Sequence, residues 1–496
     1  MRFYVKKSNT IRSDYMNSKK RKSGVLMHVS SLPGDYSIGS FGKEAKRFVD
    51  FLCNCGFSMW QVLPFCLVDE CNSPYKSYSA FGGNPYFVDL PTLFEQGLLT
   101  KEELDSCRQQ TPYSCEFVRL YHTRTTVLMN AAKRADEGLK NKITEFIEEN
   151  VYLKQFCEFM ALKKANCEKP WTEWKTNEYD PDVLFLWQFI QYEFFTQWAE
   201  IKKYANEKGI KIIGDIPIYV SFDSCDVWAN REQFLLDKDN VPTCVAGVPP
   251  DYFAEEGQLW GNPIYDWAKM EKDNFKWWRA RLSHNLEMFD AVRIDHFRGI
   301  ESYWSVDGKA TTAKDGKWVK GPGEKFVDMA KEIAGEKLII AEDLGDITKE
   351  VIDLVEYSEF PGMRVFQFGF LSDNDNPHQP HNYTDNCIAY TGTHDNNTLL
   401  GYVWELGEET RKGMLEYCGY YSPDWNNGYS AIIRTIFASH ADTVILPIQD
   451  LLGYGSDTRL NIPGKADGNW QYRVTAEQIA SIDINRWKRL NYLYRR

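Results

Sequence analysis

Eight short apolar runs, spread along the whole chain, restrict its fold more than any other feature. They read GVLMHVSSL (24–32), SMWQVLPF (58–65), KIIGDIPIYV (211–220), FDAVRIDHF (289–297), KLIIAEDLG (337–345), GMRVFQFGF (362–370), CIAYTGTHDN (387–396) and DTVILPIQD (442–450). Most end in polar or charged residues. A strand that is apolar on both faces suits a parallel sheet covered by helices. Helical patterns separate many of the runs, as at 43–55, 187–208 and 324–334. Eight strands alternating with helices predict an α/β fold, a (β/α)8 TIM barrel. The competing architecture is a doubly wound open sheet. It is disfavoured because no glycine-rich phosphate loop follows the first run.

The spacing is uneven. About 145 residues separate the second and third runs, too many for one crossover helix. Residues 95–200 read mostly helical, which predicts a helical subdomain inserted after strand two. Residues 222–288 are rich in aromatics and turns and predict a second, substrate-binding insertion after strand three. The remainder reads as one catalytic barrel over 1–496, with no separate C-terminal β-sandwich.

Composition narrows the partners. A net charge of −12 argues against nucleic acid, whose phosphates need a basic surface. The one basic cluster, SKKRKSG (18–24), reads as a solvated lead-in. No 18-residue apolar run is present, so no membrane span is expected. The 12 cysteines show no paired CxxC motifs and no histidine at zinc-ligand spacing, which reads as free thiols in a reducing compartment, with no metal expected. Aromatics reach 15%, enough to pack a core or to stack sugar rings.

The carboxylates gather at one place in the pattern. Asp215 lies in or near the end of strand three. Asp295 ends strand four, Glu342 and Asp343 end strand five, and Asp395 ends strand seven beside His394. In a (β/α)8 barrel the C-terminal strand ends meet at one mouth, which holds the active site. A single aspartate there is usually a cap or turn residue. The set is harder to explain so, because strand alternation puts Arg293, Asp295 and Phe297 on one face, and because Asn396 and Asn397 follow His394 and Asp395.

Two carboxylates flanking one bond suit glycoside chemistry: an ionised group attacks the anomeric carbon and a protonated one donates to the leaving oxygen. Arg293 favours a charged Asp295, the expected nucleophile. Glu342, close to apolar residues and other acids, is the expected acid/base.

These segments carry a resemblance. GVLMHVSSLPGDYSIGSFG, WQVLPF, SPYKSYSAFGGNPYFVDL, GDIPIYV, GVPPDYFAEEGQLWGNPIYDW, AVRIDHFRGIESYW, IIAEDLG, GTHDNNTLLGYVW and RLNIPGKADGNWQYR resemble the 4-α-glucanotransferases of the amylomaltase (disproportionating enzyme) family, in register from about Ser23 onward. The resemblance implies an α-amylase-clan barrel with a retaining mechanism and no cofactor. It implies Asp295 as nucleophile with Arg293 as its charge partner, Glu342 as acid/base, and Asp395 as the carboxylate supporting the transition state. His394 would bind hydroxyls, Asp215 would be a site aspartate, Gln258 and Trp260 would lie on the acceptor-side loop, and Asn461 near the donor sugar. Within loop 247–263, Tyr252, Phe253 and Trp260 are candidate stacking faces, and Gln258 and Asn262 candidate hydroxyl partners. Tyr303, Trp304, Trp404 and Trp470 are weighed between packing and binding. One departure stands out: before SPY the chain reads CLVDECN (66–72), where family members commonly carry a Gly-Tyr-Gly-type stretch.

The implied partners are α-1,4-glucans and maltooligosaccharides, with glucose as an acceptor, in a bacterial cytoplasmic setting. The alternatives are an α-1,4-glucan hydrolase on the same barrel and a catalytically inactive glucan-binding protein.

Overall fold

The structure is a computed structural model, which describes residues 21–496 except 69–70, 251–254, 372–374, 423–426 and 466. Twelve strands occur among the described residues. In chain order they are β1 (Lys22–Leu26), β2 (Met59–Gln61), β3 (Lys211–Ile216), β4 (Cys244–Val248), β5 (Gln258–Pro263), β6 (Ala291–Ile294), β7 (Ser302–Asp307), β8 (Lys317–Lys320), β9 (Leu338–Ala341), β10 (Gly362–Val365), β11 (Cys387–Tyr390) and β12 (Thr443–Pro447).

Eight of them form one parallel sheet in the order β10-β11-β12-β1-β2-β3-β6-β9. That is the chain order of the eight apolar runs, closed on itself. At the remaining seam Ala341 N–H donates to Pro361 O at 3.0 Å, joining β9 to the approach of β10. The fold is the expected (β/α)8 barrel. Each strand is shorter than its apolar run, because the last residues of the run leave the sheet and form the loops above it. Gly24 lets β1 and β2 approach closely, since a Cβ there would come within 2.5 Å of Met59.

Strand alternation divides the core. Leu26, Met59, Ile213, Ala291, Ile340, Met363, Ile388 and Ile445 point inward and fill the barrel. Their neighbours Val25, Trp60, Ile212, Val292, Ile339, Ala389 and Val444 point outward under the helices. There the helix Pro181–Glu207 sets Trp198 edge-on to Phe65, with ring centroids 4.7 Å apart. That helix begins six residues before the predicted 187, where the Asp180 side chain caps it and Pro181 opens its first turn. Helices Lys43–Cys55 and Glu324–Ala334 match their predicted spans. Between β10 and β11 the described residues hold only the short turns Phe366–Phe368 and Pro380–Asn382, so the strand–helix alternation lapses there.

The stretch between β2 and β3 carries the helices Lys101–Ser106, Phe117–Lys133, Glu137–Glu149 and Val151–Ala165 before Pro181–Glu207. A second sheet was not foreseen: β5, β4, β7 and β8 form an antiparallel sheet in that order. Two of its strands come from the stretch after β3 and two follow β6. Strands this short, with partners on both sides of a barrel strand, leave no local signature in the sequence. After β12 the described residues form helices and loops. The lead-in is also not merely solvated. Arg21 donates to Ser439 O at 2.5 Å and to Tyr494 O at 2.6 Å, and Lys22 begins β1.

Candidate active site

The inward series that fills the barrel continues upward into charged residues. Ile213 is followed on its face by Asp215, Ala291 by Arg293, and Ile340 by Glu342. Alternation alone therefore aims these side chains at the C-terminal mouth. Asp295 follows β6 directly.

Arg293 is the hub. One terminal nitrogen donates to Asp215 Oδ2 at 2.6 Å and the other to Asp295 Oδ1 at 2.6 Å. The arginine and Asp215 are buried, whereas the Asp295 side chain keeps 29% of its exposure and opens into the mouth. A planar guanidinium can bridge two carboxylates in this way, which an ammonium point charge cannot. Tyr75 Oη also donates to Asp215 Oδ2, at 2.7 Å. The buried carboxylate thus faces inward to hold the arginine and tyrosine, and the exposed one remains available to a substrate.

Glu342 sits in a different setting. Its Oε2 accepts from His296 N–H at 2.7 Å and its Oε1 from Leu344 N–H at 2.9 Å. Burial first, and then the charge of Asp295, push its pKa up to about 7, against the pull of Arg293 and the two N–H groups. Asp395 is the opposite case. Desolvation raises its pKa, but His394, the Asn461 amide and Arg293 outweigh it and hold the carboxylate at about 2. His394 Nε2 lies 3.3 Å from Asp395 Oδ2, and Asn461 Nδ2 donates to Asp395 Oδ1 at 2.6 Å. Burial lowers the pKa of His394, but its pairing with Asp395 leaves it net raised.

The structure brings together Asp215, Arg293, Asp295, Glu342, His394, Asp395 and Asn461. Gln258 and Trp260 lie on β5. The Trp260 ring, 36% exposed, stands edge-on to His296 with centroids 4.9 Å apart, which brings the antiparallel sheet up to the residue after Asp295. Trp260 Nε1 donates to Gln258 Oε1 at 3.3 Å. Tyr252 and Phe253 lie outside the described residues. Trp470 joins the site, its ring 5.9 Å from His394 and 6.0 Å from Tyr75.

Other expectations are corrected. Phe297 does not share a face with Asp295. His296 adopts a left-handed backbone with φ 52°, which breaks the alternation and sends Phe297 into the core against Phe360. Asp343 turns away from the mouth, accepting from Met363 N–H at 2.6 Å and pairing with Arg364 at 2.9 Å. Asp395 stands five residues beyond the end of β11, on a loop. Asn396 shapes that loop by accepting from Thr393 N–H at 2.8 Å, and Asn397 ties it to Ser456 at 2.9 Å. Asn262 spends its amide on Val220 O at 2.8 Å. Tyr303 is buried, and Trp304 donates to Ala313 O at 2.8 Å, so both pack. Trp404 is half exposed and lies over Gly455, where a Cβ would approach it to 2.8 Å. Arg298 stacks on Trp318 with its guanidinium carbon 3.8 Å from the ring centroid, behind the site.

Tyr75 is a residue of this cluster that sequence reasoning missed. It stacks on His394 with centroids 4.9 Å apart and an interplanar angle of 17°. It sits in the loop after β2, where no periodicity marks it. It lies only three residues past the divergent stretch 66–72, in which Val68 bridges Ser77. Among the described residues, no group of three or more His, Cys, Asp or Glu side chains could hold a metal ion.

Comparisons with known proteins point to one family. Residues 27–478 match the glycoside hydrolase 77 family model, described as 4-alpha-glucanotransferase. A 4-alpha-glucanotransferase of Streptococcus pneumoniae is 44% identical, covering 96% of this chain and 98% of its own length. One from Clostridium butyricum is 43% identical over 95% of this chain and 100% of its own. The solved amylomaltase of Streptococcus agalactiae, in complex with acarbose, superposes with a TM-score of 0.93 at 39% identity, covering 96% of this chain and 100% of its own.

Proposed function

This chain belongs to the 4-alpha-glucanotransferase family, and we propose that its transfer of α-1,4-glucan segments runs through Asp295, Glu342 and Asp395. A maltooligosaccharide or starch chain binds across the mouth. Asp295 attacks the anomeric carbon while Glu342 gives its proton to the departing glycosidic oxygen. The C–O bond breaks and a covalent β-glucosyl ester forms on Asp295. The 4-hydroxyl of an acceptor glucose or glucan then gives its proton to Glu342 and attacks the same carbon, releasing Asp295. Two inversions leave the α-configuration retained. Asp395, held ionised by His394 and Asn461, supports the oxocarbenium-like transition state. The scheme uses no cofactor.

The observation that carries this reading is the contrast between two acids at one mouth. Asp295 is paired with the Arg293 guanidinium, whereas burial raises Glu342 to about 7, so one lies beside a fixed positive charge and the other can hold a proton. Asp215 acts through Arg293, and His394 and Asn461 offer hydroxyl contacts beside Asp395. Transfer must outrun attack by water, which requires a well-held acceptor. Gln258 and Trp260 on β5, with Tyr252 from the same stretch, are the residues proposed for that task. Stretches 95–200 and 222–288 are proposed as the two inserted subdomains of one catalytic unit.

A cytoplasmic location suits the 12 free cysteines. Among the described residues no helix is long and apolar enough to cross a membrane. Nucleic acid is not a proposed partner.

Incubation with maltotriose tests the reaction. Longer oligomers together with glucose are the expected products. Steady release of reducing ends without longer products would point to hydrolysis instead.

A further inference from the structure

Asp450 is buried in the helix Ile448–Leu452 directly after β12, at 1% exposure. The reaction scheme does not use it, and among the described residues no basic side chain pairs with it. Its two oxygens have two distinct partners. Oδ2 accepts from Thr391 Oγ1 at 2.5 Å, and Oδ1 accepts from Leu399 N–H at 2.8 Å. Thr391 follows β11, and Leu399 opens the helix Leu399–Glu405. Between them runs the loop that carries His394 and Asp395. One carboxylate thus fastens both ends of that loop to the short helix that follows the adjacent barrel strand.

Other ties hold the loop elsewhere. Gln367 Nε2 donates to Asn397 O at 2.8 Å, Arg459 donates to Asp395 O at 2.6 Å, and Asn397 reaches Ser456. Among the described residues only Asp450 engages the entry and the exit with a single group, which ties the two together. A carboxylate suits the task because both partners are donors and both its oxygens accept. Its burial without a cation pushes its pKa up to about 6, a cost offset by the two buried donors, Thr391 Oγ1 and Leu399 N–H, that it satisfies.

We propose that Asp450 is a positioning residue for the transferase reaction: by clamping Thr391 and Leu399 it sets where Asp395 and His394 meet the reacting glucosyl unit. The proposal rests on the role given above to Asp395.

The test compares Asp450→Ala in the wild-type and Asp395→Asn backgrounds. It uses maltotriose kinetics, kinetics with an activated glucosyl fluoride donor, acarbose titration, and a separate thermal melt. In the wild-type background, Asp450→Ala is expected to lower kcat about 10- to 100-fold, the scale of one lost hydrogen bond to a charged group, with KM changed less than about 3-fold. In the Asp395→Asn background the same change should cost less than about 2-fold more, because the group it positions is already disabled. Asp450→Asn should recover most of the activity: its amide oxygen takes the Leu399 N–H and its nitrogen donates to the Thr391 hydroxyl. Thr391→Val, which removes one donor, should fall between. If Asp450→Ala does not fold, these last two variants carry the comparison. Equal proportional losses in both backgrounds would overturn the proposal, as would wild-type kcat in Asp450→Ala or a loss confined to KM. Wild-type turnover in Asp395→Asn alone would instead overturn the site assignment on which the proposal stands.

Discussion

The barrel mouth and the antiparallel sheet beside it are built on different principles. At the mouth, Asp215, Arg293 and Glu342 are buried, and Asp215 Oδ2, the two terminal nitrogens of Arg293 and both Glu342 oxygens are engaged at 2.6–2.9 Å, while Asp215 Oδ1 has no hydrogen-bond partner among the described residues. On β5, Gln258 is exposed and Trp260 partly so, and the Trp260 indole N–H donates to the side chain of Gln258, two residues away on the same strand. The first region fixes charge at one place, as bond-making requires. The second offers a flat apolar face and adaptable hydrogen-bonding groups, as binding acceptors of varied length requires. Substitutions in the two regions should therefore fail in different ways, chemistry in one and partitioning in the other.

The sharpest break of that contrast is Asp295→Asn. Turnover should fall by at least about 10⁴-fold, roughly 5.5 kcal/mol of transition-state stabilisation, while acarbose binding and the melting temperature persist. Near-normal turnover would remove Asp295 as nucleophile. Arg293→Lys comes next. It cannot bridge two carboxylates, and it leaves Asp215 buried with a poorer partner, so activity should drop about 100-fold and the protein should lose stability of the order of 3 kcal/mol. A variant with unchanged kinetics and melting point would show that the bridge does not matter.

A milder effect is expected from pH. Glu342 has its folded pKa raised to about 7, so its proton is present below that pH and lost above it. The acid step needs the proton, so kcat/KM for donor should decline as pH rises through about 7. Asp395, held at about 2, stays ionised over the same range and adds no limb there. In Glu342→Gln the residual rate should lose this limb. An unchanged limb in that variant would assign it to another group.

The smallest effect on chemistry should come from the sheet. Trp260→Ala should leave release of the first product within about 3-fold of wild type but raise the KM for acceptor about 10-fold, the scale of a lost aromatic stacking contact. The share of hydrolysis products should rise. A fall in first-step rate matching that of the mouth variants would erase the distinction between the two regions.

Much of the fold was legible because eight buried parallel strands leave eight apolar runs, and period-two alternation carries each inward series up to its charged residue. That logic reached Asp215, Arg293, Asp295 and Glu342. It went astray wherever a residue left the strand. Phe297 was misplaced because His296 turns left-handed. Asp343 was counted with the site because consecutive residues at a strand end look alike in sequence, although they face opposite ways. Tyr75, His394 and Asp395 sit on loops, and loop geometry has no period. For the last two the family resemblance supplied what alternation could not.

The sequence by itself determined which residue types reach the mouth, since strand direction and alternation are local properties of the chain. It also determined the family, through long motifs kept in register. Only the tertiary structure decided the pairings. Arg293 divides its two donors between residues from β3 and the end of β6, Tyr75 crosses from another loop to Asp215 and His394, and Asp450 fastens a loop about 50 residues away in sequence. Such bonds depend on distances between strands brought together by barrel closure, and a linear pattern carries no record of them.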